Sequence, residues 1–222
     1  MIRGLVLCAL LATAAGCGSG SAPADPPVQA NDAAPPKAAA TAPAPAPVPN
    51  IARVRLSTSE GDILVELDGR RAPVTTANFL AYVDRNSFDG TVFYRASRTR
   101  GSQGRGFIQG GIRRAARRSL PPIAHEPTSA TGLRHRDGTI SMARAAPAGA
   151  MGDFFITVGA MPAMDAQRGD DEGFAAFGRV VEGMDVVRRI LAMETVEGAG
   201  RGAMRGQMLA EPIRIVSARR EP

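Results

Sequence analysis

The residues able to do chemistry fall in five short segments. They read Phe93-Tyr94-Arg95, then Phe107-Ile108-Gln109-Gly110-Gly111, then Gly138-Thr139-Ile140-Ser141-Met142-Ala143-Arg144. Asp153-Phe154-Phe155-Ile156 and Phe177-Gly178-Arg179-Val180-Val181-Glu182-Gly183-Met184 follow. One arginine stands among scattered aromatic and amide residues, and no Ser/His/Asp set is apparent beside it. That inventory suits a reaction that forms and breaks no covalent bond. Cys8 and Cys17 are the only cysteines, so the body of the chain has no disulfide, thiolate nucleophile or cysteine metal site. His125 and His135 are too few for zinc without carboxylate help and read as loop histidines making ordinary hydrogen bonds. No metal or other cofactor is expected.

The elements that would position these segments begin at Ile51, where the pattern turns to period two. Val54 and Leu56 alternate with Arg53 and Arg55, and Ile63, Val65 and Leu67 alternate with Asp62, Leu64 and Glu66. Ser59-Glu60-Gly61 supplies the turn, so the spacing predicts a hairpin. Pro73 opens a predicted helix ending near Asp84, with Ala77, Leu80, Ala81 and Val83 as its apolar stripe. Strands are expected at 92–95, 107–109, 139–143, 154–158, 177–181 and 213–217, with a second helix after Gly183 presenting Met184, Val187, Ile190 and Leu191. Many short strands and two separated helices suggest a closed barrel plugged at its ends, with Gly110-Gly111 letting the sheet curl.

In that order the five segments resemble the cyclophilins, the peptidyl-prolyl cis/trans isomerases, over most of the chain from about Ile51 to Ser217. The resemblance implies a mainly β fold, a closed eight-stranded antiparallel barrel capped by two α-helices. It also implies a reaction: twisting an Xaa-Pro amide through a barrier of about 18–20 kcal/mol. No base, nucleophile or metal is needed; the catalyst must favour the twisted amide over the planar one. A guanidinium does so by donating to the prolyl nitrogen as its lone pair localises, and the family's arginine corresponds to Arg95. By the same resemblance Phe155 floors a proline pocket, Met164 and Phe107 wall it, and Gln109 orients the substrate backbone. Phe174 falls at a further substrate-binding position, and the backbone at Ala143-Arg144 pairs with the extended peptide.

Departures from the family pattern mark this chain. Tyr94 replaces the histidine before the arginine, Arg144 an asparagine, Ala163 a tryptophan and Phe174 a histidine found in many eukaryotic members. The Phe-Met-x-Gln pattern is one apolar residue short because Gly106 precedes Phe107. Either the pocket has lost a phenylalanine or the loop from Ser97 to Arg105 shifts so that Phe107 fills its place. This thinning keeps a second reading open, a catalytically weak module binding proline-containing peptides as a chaperone or scaffold. The glycines at 101–106 lack a phosphate-loop ending, and Asp170-Asp171-Glu172 lacks calcium-loop spacing.

Residues 1–17 read as an export signal, with Arg3, an apolar run from Leu5 to Ala12 and small residues before Cys17. Cys17 resembles the lipidated cysteine of a bacterial lipobox, although Ala14 stands where a leucine is usual. Residues 18–50, rich in Ala and Pro, read as a semi-rigid disordered stalk leading to an isomerase domain at 51–222. The expected setting is the bacterial cell envelope, periplasmic and anchored to the membrane through Cys17. Expected partners are proline-containing polypeptides, met by a monomer. The net charge is +6, with Lys37 the only lysine. Without tryptophan or a nucleic-acid motif, no nucleic-acid partner is expected. The eight arginines from Arg95 to Arg118 read as a solvated basic stretch, with contact to anionic envelope surfaces as the sharper alternative.

Overall fold

The computed structural model describes residues 48–102, 104–113, 116–144, 149–167 and 171–222. The signal segment with Cys17, and the stalk up to residue 47, lie outside the described residues. The described residues form nine strands and three α-helices. They are β1 (Ile51–Thr58), β2 (Gly61–Asp68), α1 (Pro73–Asp84), β3 (Val92–Arg98), β4 (Gly106–Gly111), α2 (Thr128–Thr131) and β5 (Thr139–Met142). After these come β6 (Asp153–Val158), β7 (Ala176–Glu182), α3 (Met184–Ala192), β8 (Thr195–Val196) and β9 (Met208–Glu221). The pairing order β1-β2-β7-β5-β6-β4-β3-β9 returns to β1, so eight antiparallel strands close a barrel and β8 adds a short rung to β9.

Each part has a local cause. In the β1–β2 hairpin the Thr58 hydroxyl donates to Gly61 O at 2.6 Å and accepts from Glu60 N at 3.1 Å, closing the turn. Alternation sends Ala52, Val54 and Leu56 inward. Pro73 starts α1 where a backbone N–H would lack a partner anyway, and Glu126 accepts from Val74 N and Thr75 N at 3.0 and 2.8 Å. A carboxylate brought from elsewhere in the chain thus caps this helix.

The apolar stripe of α1 differs from expectation. Phe79 and Tyr82 enter the core with Leu80 and Val83, while Ala77 and Ala81 remain half-buried. The large rings win because the barrel end holds an aromatic cluster: Phe79 lies 5.0, 5.4 and 5.3 Å from the rings of Phe88, Phe154 and Phe177. Each fully buried ring or aliphatic side chain is worth about 1.5–3 kcal/mol. Helix α3 buries Val186, Val187, Ile190 and Leu191, with Met184 at the edge of the core.

The expected pair of helices gains a third, α2. It is one turn between Pro127 and the left-handed Gly132 (φ 71°), too short to show a periodic stripe in sequence. Strand β9 runs well beyond the expected 213–217, and β3 extends through Arg98 into the stretch read as loop.

Candidate active site

Strand β3 carries Tyr94 and Arg95 through a bulge. Val92 and Phe93 pair with Gly111 and Gly110, after which Arg95 pairs with Gln109, leaving Tyr94 as the extra residue. Phe93 stays in the core, whereas Tyr94 and Arg95 both face one cavity of about 1210 Å³. Strict alternation would have sent these neighbours to opposite faces.

The Arg95 guanidinium is half-buried and held by neutral groups. Its Nη1 donates to Gln109 Oε1 at 2.8 Å, and its Nε and Nη2 donate to Gln207 Oε1 at 2.9 and 2.7 Å. Nη2 also approaches Ala203 O at 3.3 Å. Gln109 completes the chain by donating from Nε2 to the Tyr94 hydroxyl at 2.8 Å. Burial pulls the Arg95 pKa below its ordinary value, opposed by Tyr94, and an arginine remains protonated throughout. Burial pushes the Tyr94 hydroxyl up, with Asp153 adding to the rise, so it stays protonated. Among the described residues, no carboxylate lies within ion-pair distance of Arg95, so its charge is positioned without being neutralised.

Beside it is an aromatic pocket. The Arg95 guanidinium carbon sits 4.8 Å from the Phe107 ring centroid, and Phe155 lies 5.3 Å from Phe107 and 5.3 Å edge-on from Phe174. Met164, in the short turn Pro162–Met164, accepts from Phe174 N through its carbonyl at 2.9 Å. The structure therefore brings Arg95, Phe107, Gln109, Ala143, Arg144, Phe155, Met164 and Phe174 to one cavity. The Ala143 N–H already donates to Asp153 O at 2.9 Å, and among the described residues its carbonyl and the Arg144 N–H have no backbone hydrogen-bond partner.

The Gly106 departure has a steric cause. Gly106 pairs with Arg98, and a Cβ there would fall 2.0 Å from Ser97 O. Phe107 keeps its place two residues before Gln109, on the same face of β4, and lines the cavity.

A Ser/His/Asp set does exist, contrary to the reading of the sequence. His135 accepts at Nε2 from the Ser141 hydroxyl at 2.9 Å, and its Nδ1–H donates to Asp165 Oδ1 at 2.7 Å. It cannot act as a hydrolytic triad, because Ser141 is fully buried. Instead the His135 ring stacks on Phe155 at 5.7 Å and 13°, supporting the pocket floor from behind. Burial lowers the His135 pKa despite Asp165, so the ring is neutral near pH 7. Among the described residues, no group of three or more His, Cys, Asp or Glu side chains is placed to hold a metal.

The sequence profile of the family described as "Cyclophilin type peptidyl-prolyl cis-trans isomerase/CLD" matches residues 53–220. The chain belongs to the cyclophilins. It carries the activity of that family, peptidyl-prolyl cis-trans isomerisation. A peptidyl-prolyl cis-trans isomerase from Streptomyces antibioticus is 37% identical over 172 residues, covering 76% of this chain and 98% of the relative. One from Acinetobacter baylyi is 34% identical over 165 residues, covering 74% and 82%. A Cryptosporidium parvum cyclophilin, solved in the presence of the dipeptide Ala-Pro, shares the fold at a TM-score of 0.61 and 21% identity, covering 77% of this chain and 99% of that one. In this cyclophilin, Gln207, His135, Asp165 and Ser141 join the site although the sequence offered no pattern for them. Gln207 is placed because its backbone carbonyl accepts from Ala96 N at 2.9 Å, next to Arg95 on β3.

Proposed function

We propose that this cyclophilin accelerates Xaa-Pro rotation with Arg95 as the group that stabilises the twisted amide, acting on proteins folding outside the cytoplasm. The observation carrying the proposal is the Arg95 guanidinium, fixed by Gln109 and Gln207, with no carboxylate partner among the described residues, and set against the aromatic pocket. As the amide twists, the prolyl nitrogen gains a lone pair, and a prepositioned cation beside it lowers the barrier without reorganising. The proline ring is taken by Phe107, Phe155, Met164 and Phe174, which exclude water and strengthen that interaction. The test is NMR exchange on an Ala-Pro peptide with the full chain and Arg95→Ala: acceleration that collapses in the variant supports the proposal. Binding shifts without acceleration would favour the second reading, a peptide-binding module, which the missing apolar side chain at Gly106 motivates.

The setting rests on residues 1–17, whose charged start, apolar run and small residues before Cys17 suit export and lipidation. Mass spectrometry of the mature chain tests it: a diacylglycerol thioether on Cys17 supports the anchor, whereas a retained leader defeats the export reading. Slow uncatalysed prolyl isomerisation gives such an enzyme, which needs no ATP, a use in the envelope.

A further inference from the structure

We propose that the groove selects proline segments carrying carboxylates within a few residues of the proline; this rests on reading the cavity as the isomerase site. Among the described residues, four arginines line it, Arg95, Arg113, Arg144 and Arg201, against one acidic residue, Asp153. Elsewhere on the barrel many arginines, among them Arg53, Arg55, Arg179, Arg188, Arg219 and Arg220, sit within 4 Å of Asp or Glu oxygens, while others such as Arg98 and Arg118 rest on backbone carbonyls. Among the described residues, none of the four groove arginines has an ion-pair partner.

Besides Arg95, two of them are held in place with no carboxylate at the guanidinium among the described residues. The Arg144 guanidinium donates through Nε and Nη2 to Gly173 O at 2.9 and 2.5 Å and lies 5.8 Å from the Phe174 ring, next to the proline pocket. Arg113 lies 5.2 Å from the Tyr94 ring, beyond Gln109. Its backbone takes φ 42°, a left-handed conformation that disfavours a side chain, and its N–H donates to Asp153 Oδ1 at 2.8 Å. Such anchoring fixes where the cations sit and leaves their charge facing the cavity. A concave site with aromatic walls admits an extended chain, and its excess of cations favours carboxylate side chains over ammonium ones.

The experiment measures kcat/KM of the full chain on peptides with one glutamate at each of the three positions before or after proline, beside glutamine and lysine counterparts. At low ionic strength, at least one position should favour glutamate over lysine by about tenfold, shrinking in 0.5 M salt. In Arg113→Gln/Arg144→Gln the ratio should fall towards one; should that variant fail to fold, the salt series on the wild type decides. Acceleration of Ala-Pro with no glutamate preference at any position overturns the selectivity and leaves the isomerase standing. Failure to accelerate every peptide, Ala-Pro included, overturns the isomerase reading and this one with it.

Discussion

Gln207→Leu removes one oxygen that receives two hydrogen bonds from Arg95, at 2.9 and 2.7 Å, with little change in side-chain volume. The backbone tie from Ala96 N to Gln207 O does not depend on the side chain, so the local fold should persist. A hydrogen bond from a charged donor contributes about 1.5–3 kcal/mol net, and water entering beside the half-buried guanidinium recovers part of the loss. With roughly 1.4 kcal/mol per factor of ten, a residual loss of about 1.5–3 kcal/mol lowers kcat about 10- to 100-fold. Under the proposed role of Arg95 on the twisted amide, the tie would align it, and the loss should appear in kcat with KM nearly unchanged. Gln207→Glu supplies the complementary test: it keeps the geometry but places a carboxylate on the cation, and it should also slow turnover. NMR exchange on an Ala-Pro peptide reads both variants, with a thermal melt confirming the fold. A Gln207→Leu enzyme within twofold of wild type, or a Gln207→Glu enzyme faster than it, would refute the reasoning.

Arg95→Lys keeps a charge but loses the fork that engages two glutamine side chains, and peptide exchange rates should fall about 10- to 100-fold with an unchanged melting temperature. Gly106→Ala drives a Cβ to 2.0 Å from Ser97 O and should destabilise the barrel by about 2–4 kcal/mol in urea titrations; an unchanged midpoint counts against the pairing described. For His135 the folded-state pKa lies below the unfolded value, so the unfolded chain binds more protons in that window. Stability should therefore decline as pH drops through about 6.5. Denaturation at pH 5 and pH 8 should show this step in the wild type and a smaller one in His135→Asn.

Most of the barrel was legible because its signals are local. Alternation over 51–67, Pro73 at a helix start and the Phe-Ile-Gln-Gly-Gly run each report on a few neighbouring residues. The α1 stripe was misplaced because a weakly amphipathic helix is oriented by its surroundings, here the rings around Phe79. Arg95 and the pocket residues were reachable through their linked motifs. Gln207 was not, since it lies 112 positions from Arg95 in an irregular segment and meets it only once β9 pairs with β3. Ser141, His135 and Asp165 looked unremarkable separately; only the packing of the β5 region against the turn at Pro162–Met164 makes them one network beneath Phe155.

The barrel closes by pairing its first strand with its last: Arg53 through Thr58 lie opposite Glu221 back to Ile215. Contacts of that sequence separation form late and set the pace of folding. During synthesis β1 and β2 can pair at once, but β1 keeps an open edge until the residues of β9 emerge. An open strand edge is a template for mispairing between chains. Truncating a few C-terminal residues should therefore reduce the yield of refolded protein far more than its size suggests, through aggregation of open barrels rather than through loss of any group near Arg95.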